Sequence, residues 1–175
     1  MKIIDDFLPE PSFKLVERFL MSSDVPWYYN DDIAGGDKGL DGYQLVHKFF
    51  DISSPFDCKS CKFGKFIGPV MAKLSPKHLL RAKANLRPRT SEHVLSNFHT
   101  DMKVNQKTGI LYINSNDGYT LFKDGTKVKS QRNRFLVFDG HTEHAGTSCT
   151  DERVRVVLNM NYIPTQLNEK SDTYT

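Results

Sequence analysis

The chain has 175 residues, of which 38% are hydrophobic and 26% are charged, so it is long enough for one folded domain and too short for two full ones. Uncharged apolar stretches such as residues 66–72 are much shorter than the roughly 20 apolar residues of a membrane helix. Asp5 and Asp6 contradict the basic and then apolar plan of a signal peptide. We therefore expect a globular cytoplasmic protein without membrane contact.

The first 76 residues predict two helices and two short strands. Amphipathic or apolar spacing predicts helices over residues 9–21 and 63–74, although Gly68-Pro69 should bend or restart the second one. Aromatic and β-branched residues predict strands over residues 26–30 and 43–50. The Gly- and Asp-rich loop between these strands, residues 31–42, is expected to be mobile and to close over a bound substrate.

From residue 77 onward, short strands alternate with turn signals, which is typical of an all-β sandwich or barrel. The predicted strands cover residues 78–86, 97–102, 109–114, 119–123, 126–130, 134–138 and 153–162. Asn116-Asp117-Gly118 and Lys123-Asp124-Gly125 predict hairpin turns, because Asp-Gly supplies the positive φ of tight turns.

These elements predict a mainly β fold with flanking helices. We expect a single domain over residues 1–163, in which residues 1–76 support a double-stranded β-helix, or jelly-roll, core at residues 77–163. The polar residues 164–175 are predicted to form a flexible tail.

Two patterns leave alternatives open. Cys58 and Cys61 have the spacing of half a zinc site, but no second pair completes the ligand set, so loop thiols are the preferred interpretation. Residues 58–91 contain nine Lys and Arg residues and no acidic residue. Such an excess suits nucleic acid or an anionic metabolite, but it is also found on surfaces that only promote solubility.

The strongest chemical signal is His99-x-Asp101, followed much later by His144. In an extended segment, residues two positions apart point to the same side, so His99 and Asp101 can bind one metal ion. His144 follows four further predicted strands, and the returning sheet can place it opposite them. Two histidines and one carboxylate with open positions are the ligand set of non-haem iron(II) oxygenases.

An arginine on the last predicted strand complements this set. Alternation places Arg153, Arg155, Val157, Asn159 and Asn161 on one face of that strand. A guanidinium group on that face offers two parallel hydrogen bonds to a carboxylate.

The motifs His99-x-Asp101, GILYIN (109–114), NDGYTLFKDGTKV (116–128), RFLVFDGHTEHAGTSC (134–149) and DERVRVVLNMNY (151–162) together resemble the iron(II)- and 2-oxoglutarate-dependent dioxygenases, in their prolyl-4-hydroxylase-like branch. The resemblance covers roughly residues 81–162. The N-terminal segments IIDDFLPEPSF and PWYYN also resemble the compact members that bacterial viruses often encode.

The resemblance implies a role for each site residue. His99, Asp101 and His144 match the metal ligands, since the second histidine of the family typically opens a His-Ala-Gly or His-x-Gly turn, and His141 is the alternative. Arg155 matches the basic residue that binds the far carboxylate of 2-oxoglutarate, with Arg153 as the alternative. The hydroxyl of Tyr112 is expected to bind the same carboxylate.

The resemblance implies Fe(II), 2-oxoglutarate and O2 as cofactor and co-substrates, and hydroxylation of a C–H bond with succinate and CO2 as co-products. A protein or peptide substrate, such as a peptidyl proline, is favoured over nucleic acid or an anionic metabolite. Two alternatives remain: a non-catalytic jelly-roll binding or assembly protein with a vestigial metal site, and a cupin-like metal enzyme that would not need Arg155.

Overall fold

The computed structural model describes residues 1–31, 33, 43–53, 64–102 and 105–165. Most of the loop predicted at residues 31–42, both Cys58 and Cys61, and residues 166–175 of the predicted tail lie outside the described residues. The described elements are, in chain order, β1 (Lys2–Ile4), α1 (Glu10–Leu20), β2 (Tyr28–Asn30), β3 (Gln44–Asp51), α2 (Gly64–Leu74), β4 (His78–Pro88), β5 (Lys107–Tyr112), β6 (Tyr119–Phe122), β7 (Lys127–Lys129), β8 (Phe135–Asp139), β9 (His144–Gly146) and β10 (Val154–Ile163).

The strands form two antiparallel sheets. The larger sheet has the order β1-β8-β5-β10-β4-β3-β2, and the smaller sheet has the order β7-β6-β9. Apolar residues of both sheets meet in one cluster, in which Phe122 and Val128 pack with Ile110, Leu136 and other residues of the larger sheet. The prediction of a mainly β, jelly-roll core with flanking helices is therefore confirmed.

The two helices cover the other face of the larger sheet. Phe13 and Val16 of α1 and Val70 of α2 are fully buried, and they share one core cluster with Leu158 and Met160 of β10. Burying apolar side chains on this face stabilises the larger sheet and leaves its opposite face available for polar groups. Among the residues that the structure describes, neither helix has the length and apolarity needed to cross a membrane.

The helix α2 continues through Pro69, so the proline does not end it. Its first residue is Gly64, which places Pro69 in the second turn. The sequence pattern located both helices and most strands to within about two residues, but it did not predict β1 or β9, which have three residues each.

One of the two predicted hairpins is confirmed and the other is wrong. The turn at Lys123-Asp124-Gly125 joins β6 to β7, and Gly125 has a φ of 87°. In contrast, Asn116-Asp117-Gly118 connects β5 to β6, which lie in different sheets. There Asp117 accepts hydrogen bonds from the backbone N–H and the hydroxyl of Thr150, so its carboxylate stabilises a crossing between sheets.

Gly118 in this connection allows the backbone to pass close to Arg155 and Ser148. A Cβ atom on Gly118 would lie 2.6 Å from Cδ of Arg155 and 2.7 Å from the carbonyl oxygen of Ser148. The residue therefore brings the connection against the side chain of Arg155.

The predicted strand at residues 97–102 is also corrected. This segment contacts the smaller sheet through one isolated bridge, His99 with His144, and it does not form a continuous strand; a second bridge, Leu95 with Thr147, lies just before it. Its polar side chains bind other partners: the ring of His99 bonds to the carbonyl oxygen of Asn97, and Asp101 bonds to residues of the larger sheet.

Candidate metal centre and its pocket

The two histidines of the predicted ligand set are paired through their backbones. The N–H of His99 donates to the carbonyl oxygen of His144 at 3.0 Å, and the N–H of His144 donates to the carbonyl oxygen of His99 at 3.0 Å. Residues that exchange both hydrogen bonds in an antiparallel pair carry their side chains on the same side. The ring centroids of His99 and His144 accordingly lie 4.7 Å apart.

Each ring is oriented by the same local contact. The Nδ1 atom of His99 lies 3.0 Å from the carbonyl oxygen of Asn97, and Nδ1 of His144 lies 3.1 Å from the carbonyl oxygen of Thr142. Because a carbonyl oxygen only accepts, these contacts favour the tautomer with the proton on Nδ1, in which Nε2 of the neutral ring has the lone pair that binds a metal. Such contacts of the remote ring nitrogen are the usual way in which a metal-binding histidine is oriented.

Asp101 completes the cluster. One ligand atom from each of His99, Asp101 and His144 lies within 4.8 Å of the other two, and Nε2 of His144 lies 3.9 Å from Oδ2 of Asp101. The three residues come from the segment before β5 and from β9. The structure thus brings all three predicted ligands together.

The carboxylate of Asp101 lies in a dense set of donors from the larger sheet. Arg81 donates to Oδ1 at 2.7 Å, and the amides of Asn159 and Asn161 donate at 3.1–3.2 Å. The hydroxyl of Thr108 donates to Oδ2 at 3.2 Å. These contacts from β4, β5 and β10 hold the carboxylate towards the two imidazoles.

The same contacts determine the charge of the site. Burial opposes ionisation of Asp101, but His144 and Arg81 lower its pKa to about 2, so it is an anion at neutral pH. Burial lowers the pKa of His144, although Asp101 acts in the opposite direction. An ionised carboxylate beside neutral imidazoles is the protonation state that binds a divalent metal.

The donor set therefore fits iron(II) or a similar divalent ion. Two Nε2 atoms and one carboxylate on one wall leave the opposite side of an ion for other ligands, as in the two-histidine, one-carboxylate iron oxygenases. Nδ1 of each histidine and the carboxylate of Asp101 have additional hydrogen-bond partners in the protein. Metal ligands are usually oriented by such partners.

The cluster faces a pocket of about 400 Å³ between the two sheets. The larger sheet and the segments beside it contribute Asn30, Ile33, Gln44, Arg81, Lys83, Asn85, Arg87, Ile110, Arg155, Val157 and Asn159. The remaining wall consists of Ser96, His99, Thr100, Asp101, Thr120, His144 and Gly146.

Arg155 lines this pocket and is only 5% exposed. Its Nε donates to the hydroxyl of Ser130 at 2.8 Å, and its two terminal nitrogens lie 3.3 Å from the carbonyl oxygen of Thr147 and the hydroxyl of Thr120. All three contacts are to neutral groups. Burial lowers the pKa of the guanidinium, and a carboxylate bound in the pocket would stabilise its charge.

Tyr112 is fully buried below this arginine. Its ring centroid lies 5.7 Å from the guanidinium carbon of Arg155, and its hydroxyl donates to Oγ1 of Thr120 at 2.8 Å. Because Thr120 Oγ1 accepts from both Tyr112 and Arg155, its own proton remains available for a ligand in the pocket. A direct contact of Tyr112 with a carboxylate stays a prediction, and Thr120 is a pocket residue that the sequence interpretation missed.

The two alternatives considered for the ligand and the arginine occupy different environments. Both His141 and Arg153 are exposed, whereas His144 and Arg155 are buried. His141 lies in the turn that precedes β9, and Arg153 precedes the first residue of β10.

The sequence interpretation also missed a row of basic residues on β4. Arg81, Lys83 and Arg87 line the pocket together with Asn85. The signal was present, because these residues alternate with the buried Ala82 and Ala84 and so share one face of a strand. In the sequence they were counted only as part of the basic stretch at residues 58–91.

No family model matches the chain, and no curated protein matches it in sequence. Solved structures do match. A prolyl hydroxylase from Trichoplax adhaerens, solved in complex with a peptide fragment of the hypoxia-inducible factor oxygen degradation domain, is similar over 93% of this chain and 83% of its own, with a TM-score of 0.63 and 14% identity.

Two bacterial structures agree with this match. A prolyl-4-hydroxylase from Pseudomonas putida is similar over 94% of this chain and 92% of its own, with a TM-score of 0.54 and 14% identity. An oxidoreductase of the 2-oxoglutarate-Fe(II) oxygenase family from Burkholderia pseudomallei covers 85% of this chain and 78% of its own, with a TM-score of 0.57 and 9% identity. At these identities the similarity establishes the fold, which is the fold of the prolyl hydroxylases and of other 2-oxoglutarate-Fe(II) oxygenases.

Proposed function

We propose that the protein is an iron(II)- and 2-oxoglutarate-dependent oxygenase that hydroxylates a C–H bond. The observation that carries the proposal is the position of His99, Asp101 and His144 on the wall of a pocket that also contains the buried Arg155. The fold shared with 2-oxoglutarate-Fe(II) oxygenases supports the same reading.

The metal would be held by Nε2 of His99, Nε2 of His144 and the carboxylate of Asp101. Bound iron(II) would supply the activation of O2, with 2-oxoglutarate converted to succinate and CO2 as the substrate is hydroxylated. Arg81, Asn159 and Asn161 keep the carboxylate ionised and directed at the metal position.

The far carboxylate of 2-oxoglutarate would bind Arg155 and the hydroxyl of Thr120. Arg155 is held by Ser130 and Thr147 before any ligand binds, so little side-chain freedom is lost on binding. The charges of iron(II), Asp101, 2-oxoglutarate and Arg155 sum to zero. The positive charges of Arg81, Lys83 and Arg87 on the same wall remain in excess of this set.

A peptidyl proline is the substrate that we propose to test first. The support is the fold shared with two prolyl hydroxylases, one of them solved with a peptide. The pocket is open to polar groups of β2 and β3 beyond the metal cluster, through Asn30 and Gln44, which provides room for a substrate beside the co-substrate.

The test is anaerobic titration of iron(II) into the wild-type protein and the Asp101→Ala variant, followed by succinate measurement with a peptide pool. Asp101→Ala should lose iron binding at micromolar metal, because the only charged ligand is removed. His141→Ala is the matched control, and it should bind iron like the wild type since His141 is exposed.

Unchanged iron affinity in Asp101→Ala would refute the metal assignment. A wild-type protein that binds no iron would favour the non-catalytic binding protein with a vestigial site. Turnover without 2-oxoglutarate would favour the cupin-like enzyme instead.

A further inference from the structure

The inner face of β4 carries three positively charged side chains in a row. Arg87 pairs across the sheet with Arg155, Lys83 pairs with Asn159, and Arg81 pairs with Asn161. The row therefore runs beside β10 from the Arg155 end of the pocket to the Asp101 end.

The two arginines of this row already have acceptors. Arg81 forms an ion pair with Asp101 at 2.7 Å. Arg87 donates to the carbonyl oxygen of Gly146 at 2.8 Å, and a Cβ on this glycine would lie 3.4 Å from Nη1 of Arg155. One arginine thus belongs to the metal end of the pocket, and the other lies beside the proposed 2-oxoglutarate anchor.

Lys83 differs from both. It lines the pocket, yet within the described parts of the chain its ammonium group has neither a hydrogen bond nor an ion pair. Asp101 is the one carboxylate that the described residues place on the pocket wall, and Arg81 and the proposed metal occupy it. Burial and the charge of Arg81 oppose the charge of this half-buried ammonium group, and the carboxylates of Asp101 and Asp51 balance it only in part without contacting it, so the position favours binding of an anion.

The amide groups near Lys83 add hydrogen-bond acceptors. Asn85 Oδ1 and Asn159 Oδ1 are buried without a hydrogen-bond partner among the described residues. Asn85 follows Lys83 on the same face of β4, and Asn159 lies opposite Lys83 on β10. A ligand that brings an acidic group to Lys83 and an N–H or O–H group to these oxygens would satisfy all three positions.

We propose that the primary substrate carries a carboxylate or phosphate group and that Lys83 binds this group. The inference rests on the proposed function, because it assigns the metal end and Arg155 to iron and 2-oxoglutarate and leaves Lys83 for the substrate. The acidic group has two sources with the same chemistry, the side chain of an acidic peptide and a small free acid.

The test uses protein loaded with Mn(II) and N-oxalylglycine, an unreactive analogue of 2-oxoglutarate, so that the metal site and Arg155 are filled. Calorimetric titrations then use inorganic phosphate, N-acetylglutamate, the peptide acetyl-Glu-Pro-Gly-amide and its neutral counterpart acetyl-Gln-Pro-Gly-amide. We expect at least one anionic probe to bind the wild type and the neutral peptide to bind at least tenfold more weakly than the acidic one.

The variants locate the binding. Lys83→Met should weaken binding of the anionic probe about tenfold or more, and Lys83→Arg should retain most of it. Lys77→Met is the matched control, since Lys77 is an exposed member of the same basic stretch outside the pocket, and it should change the affinity less than twofold. Thermal unfolding of each variant verifies that it is folded.

The probes distinguish the possible kinds of substrate from one another. Equal affinity of N-acetylglutamate and the acidic peptide identifies a small acid, tighter binding of the peptide identifies a peptide, and preference for phosphate identifies a phosphorylated substrate. Loaded wild-type protein that binds none of the anionic probes, or binds them equally after Lys83→Met, overturns the inference. A wild type that does not take up Mn(II) and N-oxalylglycine overturns the proposed function itself.

Discussion

The two faces of the paired strands β4 and β10 differ completely in character. On the face under the helices, Ala82, Ala84, Val156, Leu158 and Met160 are all 0% exposed. On the pocket face of the same strands, the positions alternate with these and carry Arg, Lys and Asn side chains together with the apolar Val157. One strand pair therefore supplies both the core and the site.

The difference shows how the fold separates stability from chemistry. The helix-facing side chains gain free energy by leaving water, independently of any ligand. Most of the pocket-facing groups are charged or polar, and several bond to one another: Arg81 bonds to Asn161 at 2.9 Å, and both bond to Asp101. Substitutions on the first face should change unfolding, and substitutions on the second should change binding.

The largest effect on stability is expected from the helix-facing side. Leu158→Ala removes a fully buried side chain from the core cluster and should lower the free energy of unfolding by about 2–5 kcal/mol. Urea unfolding measures this change. At temperatures where the variant is folded, its iron affinity should equal that of the wild type, and a large loss of affinity would show that the two faces are not independent.

On the pocket side, Arg155→Ala should raise the 2-oxoglutarate concentration needed for half-maximal succinate production about a hundredfold, or about 3 kcal/mol. The reason is that a buried guanidinium contributes far more to a carboxylate contact than an exposed one. Arg153→Ala is the control and should change the requirement less than about fivefold, since Arg153 is exposed. A larger defect in the Arg153 variant would reverse the assignment.

A smaller effect is expected for a residue that acts through Asp101. Asn161 is fully buried and donates to Oδ2 of Asp101 at 3.1 Å, so Asn161→Ala should weaken iron binding about tenfold. Asn114→Ala offers a comparison, because the amide of Asn114 bonds to the backbone of Val154 and Val156 instead. The Asn114 variant should lose stability and keep its iron affinity.

The smallest effect concerns pH. Burial, together with the charge of Arg81, lowers the pKa of Lys83 to about 8, below its ordinary value of 10.5. Between these two values the unfolded chain binds more protons than the folded one, so this residue makes stability rise with pH. The rise in unfolding free energy from pH 8 to pH 10 should be smaller in Lys83→Met than in the wild type. The unfolding free energy of each protein is measured by urea unfolding at both pH values. An equal rise in the variant and the wild type would contradict the burial of a charged Lys83.

The sequence predicted the class of fold because strand alternation and the hairpin at Gly125 are local signals. It did not predict that Asn116-Asp117-Gly118 crosses between sheets, because the partners of Asp117 lie on Thr150, more than thirty positions away. Short strands such as β9 are also invisible locally, since His144–Gly146 is a strand only through its pairing with β6.

The residues of the candidate site also fall into those that the sequence predicted and those that it did not. His99, Asp101 and His144 were found through spacing and resemblance, and the structure places them together. Lys83 and Thr120 were not found, because their position depends on the register of β4 against β10 and on the packing of the smaller sheet under Arg155. Pairing registers of this kind are long-range properties that a single sequence does not display.

The short strand β1 also has a consequence for the solubility of the protein. Lys2–Ile4 pairs with β8 at one end of the larger sheet, and Asn133 bonds to Leu8 through both atoms of its amide. β1 therefore covers hydrogen-bonding groups of β8 that would otherwise form an open sheet edge, the kind of surface through which separate chains aggregate. Loss of these few N-terminal residues would leave His99, Asp101 and His144 in place. It would expose the edge of β8 that faces away from β5, through which chains could associate.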